Sequence, residues 1–231
     1  MRNPIIVALD VSTAAEALGL ARELSGVVGG FKIGKELFVS EGPDIVRAIR
    51  DEGGAVILDL KFHDIPNTVA KAVAAAARLD VQMLTIHTSG GRDMMAAAEV
   101  AAREAENTPL ILGVTVLTSI DGSDLGEMGL PVDPAGQVER LAKLATGSGL
   151  RGLVCSPLEI KMLRKSIPRE VQLVTPGIRP AGSNTGDQKR TLTPTEAMEA
   201  GADWLVIGRP ITAAGNLREA AEEILESLPG K

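Results

Sequence analysis

The sequence predicts a (β/α)8 barrel, and two observations lead to this fold class. Short apolar runs rich in β-branched residues recur eight times in 231 residues, at an average interval of about 29 residues. The segments between the runs are rich in alanine and carry helix start signals. Eight alternating strand and helix units are the number that closes a barrel, which is typically about 250 residues long.

The eight runs are apolar on both faces, as expected of parallel strands between a barrel core and an outer layer of helices. A doubly wound open sheet is the alternative. However, no G-x-G-x-x-G motif follows the first run, and the count of eight favours closure, so we expect one barrel domain over residues 1–231. The predicted strands are residues 5–10, 30–35, 55–61, 81–87, 110–117, 152–156, 171–178 and 204–209.

Helix starts between the runs are marked by capping boxes, in which Ser or Thr is followed three residues later by Glu. Asp133 before Pro134 gives a further start, and Gly201 is a predicted helix stop. The capping boxes pair Thr13 with Glu16, Ser156 with Glu159, and Thr193 with Glu196.

Two connections are long, polar and rich in glycine, at residues 118–131 and 179–193. Loops of this length in a compact domain are often functional lids. The second directly precedes the last barrel unit, where barrels often bind phosphate.

Composition narrows the class of ligand. A net charge of -6 and a pI near 5.1 disfavour nucleic acid and anionic membranes as partners. Aromatic residues make up 2% of the chain, so polar contacts must carry recognition. Cys155 is the single cysteine, so it can form no internal disulfide, and it fits no metal-binding spacing. Because the sequence also shows no signal peptide or membrane span, we expect a cytoplasmic protein.

Charged residues close several of the apolar runs. In a barrel, the carboxyl ends of the strands open into one shared mouth, which Asp10, Lys32 and Asp59 would reach. Asp59 and Lys61 are two apart in a strand, so they share one side of it, and Asp64 follows. A buried Lys32 requires Asp59 or Asp10 as its partner. We interpret this alternating array as a catalytic centre for a small phosphorylated substrate; a purely structural ion-pair network is the alternative.

Lys61 is a better acid than nucleophile, because neighbouring carboxylates favour its ammonium form and a Schiff base requires a neutral amine. The phosphate end is predicted at Gly208 and Arg209, near Gly177 and Arg179, where backbone amides and guanidinium groups can cradle a dianion. His63, His87 and Cys155 are predicted to have structural roles.

The segment DLKFHDIPNT, residues 59–68, resembles the signature of the orotidine 5'-phosphate decarboxylase family, bacterial type. The resemblance extends along the chain in the family's order. It includes ALD ending at Asp10, FKIGKELF around Lys32, VTVLTS ending at Ser119, PGIR ending at Arg179 and IGRPIT around Arg209.

The resemblance implies an enzyme that converts orotidine 5'-phosphate to UMP in pyrimidine biosynthesis without a cofactor or metal. It also implies a homodimer in which each active site includes residues from the neighbouring subunit. Lys61 would protonate C6 after carbon dioxide leaves, with Asp59, Lys32 and Asp64 completing the charged array. The remaining implied contacts are Asp64, Ile65 and Thr68 in the neighbouring subunit's site, Asp10 and Lys32 at the ribose, Thr118 at the pyrimidine, and Gln188, Gly208 and Arg209 at the phosphate with Arg179 nearby.

Two other functions stay open. The shorter pattern D-x-K-x-x-D also occurs in sugar-phosphate lyases of the same barrel group, such as 3-keto-L-gulonate 6-phosphate decarboxylase, which by family analogy need a divalent ion. A non-catalytic phosphate-binding barrel is the second alternative. The longer ten-residue match favours orotidylate.

Overall fold

Eight parallel strands pair in chain order, and β8 closes the sheet by pairing with β1. The computed structural model describes residue 1, residues 3–180 and residues 191–229. The strands are β1 Ile5–Leu9, β2 Gly30–Gly34, β3 Val56–Phe62, β4 Met83–His87, β5 Leu110–Val114, β6 Gly152–Val154, β7 Gln172–Thr175 and β8 Trp204–Ile207. The predicted (β/α)8 barrel is confirmed.

Helices follow the strands and cover the outside of the barrel. No helix in the described ranges is long and apolar enough to cross a membrane. The helices are α1 Ala14–Leu24, α2 Lys35–Glu41, α3 Asp44–Asp51, α4 Pro66–Ala77, α5 Arg92–Glu104, α6 Gly122–Glu127, α7 Pro134–Gly147, α8 Ile160–Ser166, α9 Pro194–Ala200, α10 Arg209–Thr212 and α11 Leu217–Glu226.

Most of the predicted helix signals lie at observed helix ends, whereas Ser156 precedes a short 3-10 turn, Pro157–Glu159, ahead of α8. Thr193 caps α9 with a complete capping box to Glu196, and the Asp133 carboxylate accepts from the Gly136 amide at the start of α7. Gly201 ends α9 with φ 110°, a left-handed conformation that favours glycine.

The core has two layers because side chains alternate along each strand. In β1, Ile5, Val7 and Leu9 belong to the layer packed under the helices, whereas Ile6 and Ala8 belong to the barrel interior. The interior layer is completed by apolar side chains from other strands, namely Ile57, Met83, Leu112, Val174 and Val206. This layer forms the floor beneath the mouth.

Two expectations about the chain's course are wrong. Several apolar runs continue beyond the observed strands at their carboxyl ends: β5 ends at Val114 rather than at residue 117, and β7 ends at Thr175 rather than at residue 178. The chain leaves the ladder there to form the rim of the mouth. The connection at 118–131 is not loop throughout, because Asp121 caps the short helix α6 within it.

The connection after β7 is described only at its two ends. The Arg179 amide donates to the Leu192 carbonyl at 3.0 Å, and Ile178 and Leu192 form an isolated parallel bridge. Gln188 lies outside the described residues.

Candidate active site

Four charged side chains meet at the mouth in alternating order: Asp10, Lys32, Asp59 and Lys61. The Lys61 Nζ donates to the Asp59 Oδ1 at 2.7 Å. The Lys32 Nζ lies 3.8 Å from the Asp59 Oδ2 and donates to the Asp10 Oδ1 at 3.0 Å. Lys32 therefore pairs with both of its predicted partners.

The Asp59 carboxylate stays ionised although it is largely buried. Burial alone raises its pKa, but the ammonium groups of Lys61 and Lys32 and hydrogen bonds from Lys61 and Thr85 outweigh that effect, so the pKa lies below 3.8. The site thus carries a fixed negative charge between two cations. A side chain at Gly34 would crowd this arrangement, since its Cβ would lie 3.2 Å from the Lys32 Nζ.

The backbone at Lys61, whose side chain contacts Asp59, departs from regular strand geometry. The register between β3 and β4 shifts between Leu58 and Phe62, and Lys61 lies within this bulge with φ 53°. A left-handed backbone is uncommon for a residue with a Cβ, and such conformations cluster at functional sites, although Asp80 and Thr108 also have one in this chain. The contact between Asp59 and Lys61 was predicted from regular alternation along a strand, whereas a bulge brings it about.

An inner cavity of about 280 Å³ extends from this array into the barrel. Its polar wall includes Lys32, Asp59, Lys61 and Thr118. The other walls are mostly apolar and include Ile57, Leu112, Val114, Val154, Val174 and Val206. A small, partly apolar group fits such a space, with the lysines and Asp59 at its polar wall.

A rim cavity of about 300 Å³ adjoins the inner cavity and shares Lys32 with it. It brings together Asp10, Arg179, Gly208 and Arg209. Burial and the neighbouring charge of Arg209 lower the pKa of Arg179. Because the two guanidinium groups repel each other, this cavity favours an anion between them. The sequence predicts a phosphate group at this position.

Asp64, Ile65 and Thr68 line neither cavity within the described chain. They belong to an exposed segment at the start of α4, where the Ile65 side chain is 67% exposed. The Asp64 Oδ1 accepts a local hydrogen bond from the Ile65 amide at 2.6 Å. The first interpretation, in which Asp59, Lys61 and Asp64 share one mouth, therefore does not hold within a single chain.

The two histidines lie beside the array, with ring centroids 5.6 Å apart. Burial lowers the pKa of His87, and the charges of His63, Lys35 and Lys61 lower it further. Cys155 is fully buried, and burial raises the pKa of its thiol to about 12, which makes it a poor nucleophile.

Two residues of the mouth, Thr85 and Ser156, are not predicted as site residues from the sequence. Thr85 hydrogen-bonds both Lys61 and Asp59, and Ser156 lines the inner cavity with a buried hydroxyl that has no hydrogen-bond partner among the described residues. Ser156 closes a predicted strand, a position that could have marked it; Thr85 is indistinguishable from an ordinary β-branched strand residue. Within the described ranges, no three His, Cys, Asp or Glu side chains are grouped so that they could hold a metal ion.

The fold and the charged residues at the mouth define the class of protein: a (β/α)8 barrel with an alternating lysine and aspartate array at the carboxyl ends of its strands. The sequence profile of the Orotidine 5'-phosphate decarboxylase / HUMPS family matches residues 3–224. The chain therefore belongs to this family.

Named relatives cover nearly the whole chain. It is 51% identical over 224 residues to the orotidine 5'-phosphate decarboxylase of Idiomarina loihiensis, with 97% of each chain covered. It is 52% identical over 228 residues to that of Opitutus terrae, with 99% of each covered. The crystal structure of orotidine 5'-phosphate decarboxylase from Lactobacillus acidophilus matches with a TM-score of 0.89 and 37% identity, covering 99% of this chain and 100% of that one.

Proposed function

We propose that this protein decarboxylates orotidine 5'-phosphate to UMP and carbon dioxide, the last step of de novo pyrimidine biosynthesis. The observation that carries the proposal is the 2.7 Å ion pair between Lys61 and Asp59, at the junction of an apolar cavity and a cavity lined by two arginines. The names of relatives about 50% identical over almost the full chain support the same substrate.

The reaction makes one main chemical demand on the protein. When the bond between C6 and the carboxylate breaks, the electron pair stays on C6 as a localised carbanion. The Lys61 ammonium, held by Asp59, stabilises that charge as it develops and then transfers its proton to C6, giving UMP. Because the charges are already in place, little reorganisation accompanies the step.

The rest of the substrate provides binding energy away from C6. In this proposal the pyrimidine occupies the inner cavity near Thr118, and Asp10 and Lys32 contact the ribose hydroxyls. Gly208, Arg209 and Arg179 bind the phosphate, together with Gln188, which lies outside the described residues. Binding energy from the phosphate supports closure of the site, so a substrate without phosphate should lose turnover as well as affinity.

The active assembly in this proposal is a homodimer in which Asp64, Ile65 and Thr68 enter the neighbouring subunit's mouth. The exposure of this segment supports the assignment, because an apolar side chain as exposed as that of Ile65 is suited to an interface. The single cysteine of the sequence agrees with a reducing compartment, and we place the enzyme in the cytoplasm.

A spectrophotometric assay with orotidine 5'-phosphate, with and without EDTA, tests this function. We expect the pyrimidine absorbance to change at the same rate in both, with one carbon dioxide released per UMP. Turnover of a keto-sugar phosphate that EDTA abolishes would instead identify a metal-dependent sugar-phosphate lyase. Tight UMP binding without carbon dioxide release would identify a non-catalytic binding barrel.

A further inference from the structure

Thr85 lies in the middle of β4, directly opposite the bulge in β3 that contains Lys61. Its neighbours Leu84 and Ile86 pair with Leu58 and Phe62, the two residues that flank the bulge. Its side chain faces the inner cavity, and only 2% of the residue is exposed. A polar side chain this deeply buried requires hydrogen-bond partners.

Both partners of the Thr85 hydroxyl belong to the charged array. The Thr85 Oγ1 accepts a hydrogen bond from the Lys61 backbone amide at 2.9 Å. It also lies 2.9 Å from the Asp59 Oδ1, to which it donates. The direction of both bonds is fixed, because an ionised carboxylate only accepts, an amide N–H only donates, and the hydroxyl has a single proton.

We propose that Thr85 is a positioning residue for the decarboxylation: its hydroxyl holds the Lys61 backbone in the left-handed conformation and orients Asp59, so that the ammonium is aligned before substrate binds. This inference rests on the proposed function of Lys61 and Asp59.

The geometry explains how the single hydroxyl of Thr85 can position both Lys61 and Asp59. The Asp59 Oδ1 that receives the Thr85 proton is the same atom that receives the Lys61 ammonium at 2.7 Å. The hydroxyl thus closes a ring that runs from the Lys61 backbone through Thr85 and Asp59 to the Lys61 side chain. Without it, the Lys61 amide loses its partner, and the backbone can relax out of a conformation that is unfavourable for a residue with a Cβ.

Three variants separate positioning from packing. Thr85→Val keeps the shape of the side chain and removes the hydroxyl, whereas Thr85→Ser keeps the hydroxyl and removes the methyl group. Thr88→Val is the matched control, because Thr88 is also buried, lies three residues away, and donates its hydroxyl to the Val114 carbonyl rather than to the array.

We expect Thr85→Val to lower kcat for orotidine 5'-phosphate about 10- to 100-fold, as displacement of a catalytic group by about 1 Å does. KM and the Kd of UMP should change less than about threefold, because Thr85 does not line the rim cavity. Thr85→Ser should recover most of the loss, and Thr88→Val should stay near the wild-type kcat. A wild-type kcat in Thr85→Val, or equal losses in the Val variants of Thr85 and Thr88, would overturn the proposal.

Crystal structures of the wild-type protein and Thr85→Val give a readout that does not depend on the reaction. We expect Lys61 to leave the left-handed region and its ammonium to move away from Asp59 in the variant. An unchanged Lys61 overturns the positioning role even if the enzyme decarboxylates orotidylate. If the wild-type protein releases no carbon dioxide, the proposed function fails while this structural test still stands. Thr85→Ala replaces Thr85→Val in both measurements if the latter does not fold.

Discussion

At the mouth, individual side-chain atoms determine which charged groups pair with each other. Asp59 is central because its two carboxylate oxygens face different cations, Oδ1 toward Lys61 and Oδ2 toward Lys32. Removal of this one carboxylate would leave two ammonium groups close together and largely shielded from water. The array is therefore a unit, and the effects of substitutions within it should not be additive.

His87 gives the mouth a pH-dependent stability. Its pKa in the folded protein lies below the ordinary 6.5, so between these two values the unfolded chain binds a proton that the folded chain does not. Stability is therefore lost as the pH falls through about 6.5. We expect the Tm of the wild type to fall relative to that of His87→Gln between pH 7.5 and pH 5.5. A Tm difference that stays constant across this range would contradict the assignment.

For single residues, the sequence predicts which charged side chains lie at the mouth better than it predicts the backbone conformation there. Asp10, Lys32, Asp59 and Lys61 could be assigned to the mouth because charged residues that close apolar runs have no other favourable place. The bulge at Lys61 could not be predicted, because the letters Asp-Leu-Lys-Phe also fit a regular strand. Thr85 was missed for the same reason.

Individual elements were predictable where local chemistry determines them. The capping box at Thr193 and the glycine at position 201 mark the two ends of α9, and both act through backbone hydrogen bonds within a single turn. The short helix α6 was missed, because Gly122 and Gly126 lower its helix propensity. The signal that was overlooked is Asp121, whose carboxylate caps the helix while Asp124 bonds back to its amide.

The start of α7 should depend on the cap at Asp133. Its exposed carboxylate accepts from the Gly136 amide at 3.0 Å, so Asp133→Ala should cost about 1 kcal/mol of stability. For a domain of this size that corresponds to a fall in Tm of about 2 to 4 °C. Asp133→Asn is the matched control and should stay near the wild-type Tm, since asparagine caps equally well. Equal losses in both variants would show that the charge, and not the cap, matters.

For the whole molecule, the number of strands and the apolar character of both their faces were enough to predict closure. In the proposed homodimer the site is completed by the neighbouring subunit, because Asp64, Ile65 and Thr68 are exposed and line neither cavity of their own chain. This separation could not be recognised from strand periodicity, since Asp64 follows Lys61 by only three residues. It depends on the direction in which the chain leaves β3 to begin α4.

Mixed dimers test whether the mouth is shared. Asp64→Ala and Lys61→Ala subunits should each be nearly inactive alone, but one of the two sites in a mixed dimer regains both residues. We expect the mixture to recover part of the wild-type turnover, up to about half per mixed dimer. The formation of mixed dimers is checked with two affinity tags. Confirmed mixed dimers without activity would refute the shared site.

The most direct test of the account is the turnover of orotidine 5'-phosphate by Lys61→Ala. We expect a loss of at least about 10,000-fold with an unchanged circular dichroism spectrum, because the variant removes both the stabilising charge and the proton donor. Lys165→Ala, which removes an exposed lysine of α8 that lines neither cavity, serves as the control and should keep full activity. Near-normal turnover by Lys61→Ala would contradict the central role of this lysine.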